Sequence, residues 1–220
     1  MIENAGCIET KNVLAYNIHP DRFALPKTIK RLLKRQGEHL SVRQVDRKRT
    51  TEELALLRDI FNDAWSNNWG FVPFTEEEFM TIGKELFMIV PKEFSVVAEA
   101  DGEPAAFLVM LPNLNEAIAD LNGRLLPFGW ARFLWRLKVK HVKTARILLM
   151  GVRKKYQDTL LGPALAFMAI QSIHGPGSAY GLEDVEMSWI LEDNQAMRNI
   201  IEKVGGHVTK TYRMYEKSLV

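Results

Sequence analysis

One short stretch, Arg153 to Leu165 (RKKYQDTLLGPAL), has residue types that could hold an anion. Three cations follow the apolar run RILLMGV, and the helix-like ALAFMAIQSI comes after. Gly162 reads as an N-cap and Pro163 as the first helical residue, where a missing N–H costs nothing. Free amides at about 158–162 could then bind phosphate at the positive end of a helix, with no cationic side chain required. The plainer reading is a surface junction. A second candidate is VEMSWIL (185–191), where Glu186, Ser188 and Ile190 share one strand face. There the carboxylate and hydroxyl either handle protons or face solvent. In a third, Trp65, Trp69, Phe71 and Phe74 flank Asn67 and Asn68. Aromatic walls with two amides suit an acceptor with apolar and polar parts, or they close a core. The five histidines are not at metal-ligand spacing, and no metal is expected.

The elements that must position these groups follow from periodicity and punctuation. KNVLAYNI (11–18) reads as a strand, ALPKTIKRLLKRQGEH as a basic linker helix stopped by Gly37, and LSVRQVD (40–46) as a half-buried strand. A helix over TTEELALLRDIFNDAW is capped by Thr50 or Thr51, and another over TEEEFMTIGKELFMIV has a Thr cap and an acidic first turn. FSVVAEADGEPAAFLVMLP is a hairpin turning at Asp101-Gly102. Residues 113–139 form a helical insertion, TARILLMGV (144–152) is a central strand, and a helix at 163–173 follows. A strand at 185–191, a helix at 194–204 and a last strand, HVTKTYRMYEK, complete the order. This predicts an α/β fold with a mixed sheet and helices on both faces. Neither a G-x-G-x-x-G after the first strand nor a G-x-x-x-x-G-K-[ST] loop is present.

With 220 residues, 47% of them hydrophobic and 25% charged, the chain can bury a sizeable core. A net charge of +2 argues against a nucleic-acid partner. Cys7 is the lone cysteine, which points to a reducing compartment, and no apolar run reaches the roughly 18 residues of a membrane span. A cytoplasmic protein is expected.

Two motifs give these elements a family. Gln157-Asp158-Thr159-Leu160-Leu161-Gly162 resembles the Q/R-x-x-G-x-G/A of the GNAT superfamily of acyl-CoA-dependent N-acetyltransferases, matching at Gln157 and Gly162. Asn194 opening a helix that ends in Glu202-Lys203-Val204-Gly205 matches a second motif, and the order of elements agrees from about residue 40 to 218. NDAWSNNWGFVPF and NGRLLPFGW also look like segments of a bacterial branch of that superfamily. The resemblance implies a mostly antiparallel sheet with one splayed parallel pair. It implies acetyl-CoA as cosubstrate, its pyrophosphate on the amides of Gln157, Asp158, Thr159, Leu160, Leu161 and Gly162, with Asn194 close by. The pantetheine arm would lie along Leu149, Met150, Gly151 and Val152, where a backbone N–H polarises the thioester carbonyl. Glu186 is then the base and Ser188 a proton donor, with Tyr212 or Tyr215 as alternative acids. Asn67, Asn68, Trp69 and Phe71 would face a small amine acceptor. Three residues depart from the pattern or sit awkwardly in it. Leu160 replaces a usual Gly, and would add roughly 1–2 kcal/mol of strain if the site needs φ > 0. Asp158 sets an anion beside the phosphate, or caps locally. Ile201 stands where the family's acid Tyr is frequent.

The expected function is transfer of an acetyl or acyl group from acyl-CoA to an amine of a small or amino-acid-like acceptor. The alternatives are a weak or inactive GNAT-fold module with a regulatory role, and an aminoacyl- or peptidyl-transferring relative. Residues 38–220 form the expected domain, behind a strand and basic helix at 1–37. ENAGCIETKNVLAY (3–16) echoes EKVGGHVTKTYRMY (202–215), so 1–18 reads as a possible remnant of a preceding repeat, one half of a tandem protein, seeking a sheet edge. The insertion RLLPFGWARFLWR (124–136) reads first as a lid or packing element. Membrane contact is the lesser reading, and a homodimer could form through this insertion or the N-terminal strand.

Overall fold

Asp101 and Gly102 both take left-handed backbone, φ 52° and 77°, and this tight turn folds β3 (Ser95–Ala100) onto β4 (Glu103–Pro112). The computed structural model describes residues 2–37 and 39–218. Ahead of the hairpin come β1 (Ile8–Ile18), the basic helix α1 (Lys27–Arg35), β2 (Leu40–Gln44), α2 (Thr50–Trp65) and α3 (Glu76–Ile89). After it come α4 (Leu114–Ile118), α5 (Gly129–Trp135) running into a π-helical turn at Arg136–Lys140, and β5 (Thr144–Val152). Then follow α6 (Lys154–Gln157), α7 (Leu161–Tyr180), β6 (Asp184–Leu191), α8 (Gln195–Lys203) and β7 (His207–Glu216).

The seven strands form one sheet in the order β2-β3-β4-β5-β6-β1-β7. Only β5 and β6 pair in parallel; every other neighbouring pair is antiparallel. Adjacent residues on β4 mark its two faces. Ala106 packs with Ala164 and Leu165 of α7, whereas Phe107 meets Gly151 beside Ala64 of α2. The mixed α/β fold with helices on both faces is thus the one the sequence implied.

Several local expectations need correction. The N-terminal strand finds its sheet edge within the same molecule, not in a partner: β1 covers β6 and is itself covered by β7, pairing with both. Nor is α1 only a linker, because Ile29 and Leu33 pack on the core. Neither Thr50 nor Thr51 caps α2; Asp46 caps a short 3-10 turn ahead of it, and Thr50 donates its hydroxyl to the Arg47 carbonyl. The Thr75–Glu78 capping box of α3 is present. Finally, α7 runs past Gly175-Pro176 to Tyr180. Its stop is Gly181, at φ 88°, with Leu182 N–H bonded back to the Gly177 carbonyl at 3.1 Å.

Candidate active site

The parallel pairing of β5 and β6 ends at Ile147 and Met187. There β5 carries one extra residue, because Val109 pairs with Leu149 while Met110 pairs with Ile147, which leaves Leu148 in a bulge. Beyond that point the strands part around a cavity of about 490 Å³. Its walls are Leu148, Met150, Gly151 and Val152 of β5, Met187 to Leu191 of β6, and apolar side chains of α7 and α8 such as Phe167, Ile170 and Met197. Leu149 does not line it.

Backbone direction can be read from the partners. The Met150 carbonyl accepts from Trp65 Nε1 at 3.0 Å and the Val152 carbonyl from Gln157 Nε2 at 2.8 Å, whereas Arg153 N–H bonds Ala105 on β4 at 2.8 Å. Because the N–H and C=O of one strand residue point to the same side, the Met150 and Val152 amides face the fork and those of Leu149 and Gly151 face β4.

The loop after β5 is less open than its sequence suggested. Thr159 N–H donates to the Tyr156 carbonyl at 3.0 Å and Leu161 N–H to Thr159 Oγ1 at 3.1 Å, so those two amides are engaged within the loop. The helix begins at Leu161, one residue before the expected cap, placing Gly162 and Pro163 inside its first turn. Leu160 has φ −64°, so the anticipated left-handed strain does not arise, and its side chain is 78% exposed, outside the cavity. Gln157 uses Nε2 to tie Val152 to the Ala64 carbonyl, at 2.8 and 3.1 Å. Gln157, Asp158 and Gly162 line the cavity; Thr159, Leu160 and Leu161 do not. The three cations point elsewhere: Arg153 pairs with Asp59 at 2.6 Å, Lys155 with Glu103 at 2.7 Å, and Lys154 bonds Asn67 Oδ1 at 2.9 Å. The cation that does line the cavity is Lys203, at the C-terminal end of α8; Asn194, at the opposite end, also lines it and caps the helix, its Oδ1 accepting from Met197 N–H at 3.1 Å.

The proton-handling candidates separate. Ser188 Oγ donates to Glu186 Oε1 at 2.5 Å, with Arg146 Nε 3.6 Å and Lys210 Nζ 3.5 Å from the same carboxylate. The Arg146 guanidinium lies over the Trp189 ring, 5.1 Å from its centroid, and Trp189 meets Tyr212 edge-on at 6.0 Å. Tyr215 is not in this group: it pairs with Glu9, beyond the end of β6, and its hydroxyl is 3.4 Å from Glu3. Tyr212 instead sits level with Leu191, since Val13 pairs with both. Of the proposed acceptor residues, Asn68 lines the cavity. Asn67 holds Lys154, Trp69 is exposed, and Phe71 packs in the aromatic cluster around Phe61 at 5.7 Å.

Sequence reasoning missed Arg146, though it is the only charged residue in TARILLMGV. It also missed Tyr16, fully buried with its hydroxyl between Glu202 Oε1 at 2.9 Å and Arg198 Nε at 3.1 Å. Burial pushes that phenol's pKa up. Ile201, in the place of the frequent acid, is buried and lines the cavity. Among the described residues no helix is long and apolar enough to cross a membrane, and no group of three or more His, Cys, Asp or Glu is placed to hold a metal ion.

A bulged, forked parallel pair inside an otherwise antiparallel sheet is the fold of the GCN5-related N-acetyltransferases. A structure of that class from Sphaerobacter thermophilus superposes with a TM-score of 0.62 at 14% identity, over 97% of this chain and 53% of that one. The aminoglycoside N-acetyltransferase AAC(6′)-Iy, solved in complex with CoA, gives 0.53 at 14% identity, over 82% and 96%. No protein-family model matches the chain. In sequence it is 45% identical to Protein YghO of Escherichia coli over 218 residues and 45% identical to a bacterial ceramide synthase of Caulobacter vibrioides over 219. The matches take in 99% of this chain but 56% and 57% of those proteins, so the chain spans little more than half the length of these curated relatives.

Proposed function

We propose that the fork holds the pantetheine end of an acyl-CoA and that the chain transfers its acyl group to an amine. The observation that carries this reading is the pair of fork-facing amides, Met150 and Val152, opening onto an apolar cavity where β5 leaves β6. Two unpaired strand amides give an extended amide-bearing arm the partner that β6 no longer supplies. The amine nitrogen attacks the thioester carbon, the C–S bond breaks, and the thiolate leaves. In this reading Glu186, which does not itself line the cavity, takes the proton from the nitrogen through water, and Ser188, which does line it, holds the carboxylate in orientation.

The finer reading is of the substrates. A ceramide is the amide of a long-chain amine, and a relative with 45% identity is named a ceramide synthase. Leu148, Ile170, Met187 and Met197 make a wall suited to a fatty acyl chain rather than to acetyl alone. We therefore take the donor to be a fatty acyl-CoA and the acceptor a long-chain amine, in place of the small acceptor implied by the wider family. Calorimetry with acetyl-CoA and palmitoyl-CoA tests the donor, with tighter binding of the longer chain expected. Met197→Trp, which fills the fork from α8, should weaken that binding about tenfold or more. No heat from either ligand would overturn the reading. Binding with no thiol release in the presence of a sphingoid base would leave a binding module.

A further inference from the structure

The segment joining α4 to β5 has two unlike faces. Inward, Leu137 is buried with Ala117 and Val142, and Phe133 packs against them. Arg136 and Arg132 both bind Asp120, and Arg136 also donates to the Ala117 carbonyl at 2.9 Å, so the segment is held as a platform. Outward it leaves Leu126 81%, Phe128 76% and Val139 65% exposed, with Trp130 and Trp135 about half exposed. Met88, 68% exposed, adjoins them, its carbonyl taking a hydrogen bond from Lys138.

Packing does not explain the outer face, because the inner one already fills the core contact. A lid does not explain it either. The platform precedes Thr144, at the paired end of β5, whereas the fork opens beyond Ile147 towards Val152. Charge decides between the remaining occupants. From Asp120 to Asp158 the chain contains no acidic residue, while Arg124, Lys138 and Lys140 fall among the exposed apolar side chains. A second copy meeting this patch face to face would set like charges against each other. Anionic phosphate headgroups over hydrocarbon complement both features, and indole rings favour that boundary.

We infer that the 124–140 platform seats the protein on an anionic phospholipid bilayer, with Leu126 and Phe128 entering the acyl region and Arg124, Lys138 and Lys140 on the headgroups. This raises the lesser of the sequence readings to first place. The readout needs no acyl-CoA or amine, so it stands or falls apart from the proposed transfer.

Flotation of the full chain with phosphatidylcholine vesicles, with and without phosphatidylglycerol, tests it. Binding is expected with phosphatidylglycerol and should weaken with salt. Leu126→Ser combined with Phe128→Ser should lower the vesicle partition coefficient about tenfold or more with an unchanged melting temperature. Lys138→Gln with Lys140→Gln should lower it by about fivefold per cation on anionic vesicles only. No vesicle binding, or binding unaffected by the Leu126/Phe128 pair, overturns the proposal. A dimer that the same pair turns monomeric, without vesicle binding, also overturns it and assigns the patch to self-association.

Discussion

Gly162, the residue that matches the acyl-CoA loop motif, has a structural duty that can be measured apart from any ligand. A Cβ at this position would lie 2.5 Å from the Tyr156 carbonyl oxygen, 3.0 Å from that of Gln157 and 3.2 Å from Gln157 Cα. All three neighbours are backbone, so no side chain can swing away; the first turn of α7 must lift off α6. Overpacking of this kind costs about 1–3 kcal/mol. For a chain of this size each kcal/mol moves the melting temperature by about 2–4 °C, so Gly162→Ala should melt about 2–12 °C lower. Gly177, in the same helix, is the internal control, because a Cβ there makes only ordinary contacts with side-chain ends, Leu182 Cδ1 at 3.4 Å and Met110 Cε at 3.8 Å. Gly177→Ala should gain about 0.5–1 kcal/mol from reduced chain entropy. That is a rise of about 1–4 °C.

Scanning calorimetry of the two variants beside the parent therefore gives shifts of opposite sign. If Gly162→Ala melted with the parent yet lost acyl-CoA binding, the glycine would serve ligand approach and the packing argument would be refuted. If both variants moved the same way, the geometry assigned to α7 would be at fault. The same contact explains why a bulky substitution at Gly162 is a poor ligand probe: it would disturb α6 and α7 before it met a phosphate.

Three further outcomes follow from the site and its supports. Glu186→Gln should lower acyl transfer about a hundredfold or more while leaving acyl-CoA affinity unchanged; steady-state rates beside calorimetry separate the two. Tyr16→Phe removes the hydroxyl shared by Glu202 and Arg198, and urea unfolding should show a loss of about 1 kcal/mol. Hydrogen bonding from Arg136 lowers the Asp120 pKa to about 2. A depressed carboxylate contributes stability that is whole above its ordinary value of 3.8 and is lost as pH falls towards 2. Hydrogen exchange over 114–140 should therefore quicken between those values, and Asp120→Asn should abolish that pH dependence.

What was legible in the sequence was local. Thr144–Val152 reads as a strand because it is apolar and β-branched between turn signals, and Thr50–Trp65 as a helix because its apolar spacing is helical. Glu186 and Ser188 were found together because strand period alone puts them on one face. The errors were of register and neighbourhood. Tyr215 and Tyr212 look alike in sequence; only their pairing through β1 puts Tyr212 beside Trp189 and carries Tyr215 to Glu9. The bulge at Leu148 left no mark, since the extra residue is as apolar as its neighbours. The helix expected over 163–173 runs on to Tyr180: the Pro176 ring removes one helical N–H, and α7 packed on the sheet tolerates that loss. Leu160 looked strained because a motif position was assumed to need φ > 0; with the helix starting at Leu161, it does not.

The echo between the two ends of the chain acquires a physical meaning once the sheet order is known. Glu3–Ala5 is a helical turn followed by Gly6 at φ 79° and then β1; α8 is followed by Gly205 at φ 102° and then β7. Like sequence has made like backbone, and the two strands pair antiparallel with each other, as copies related by a two-fold do. Their positions are not equivalent. β7 is the outer strand, almost wholly exposed and carrying Lys210, Arg213 and Glu216, the kind of charged edge that resists further pairing. β1 does the opposite. Beyond Met187, β6 has lost β5, yet Ile190 and Leu191 still pair with Leu14 and Val13. Without β1, the β6 side of the fork would be a free edge, able to close on β5 or pair with another chain. The N-terminal strand thus holds open the cleft on which the proposed chemistry depends.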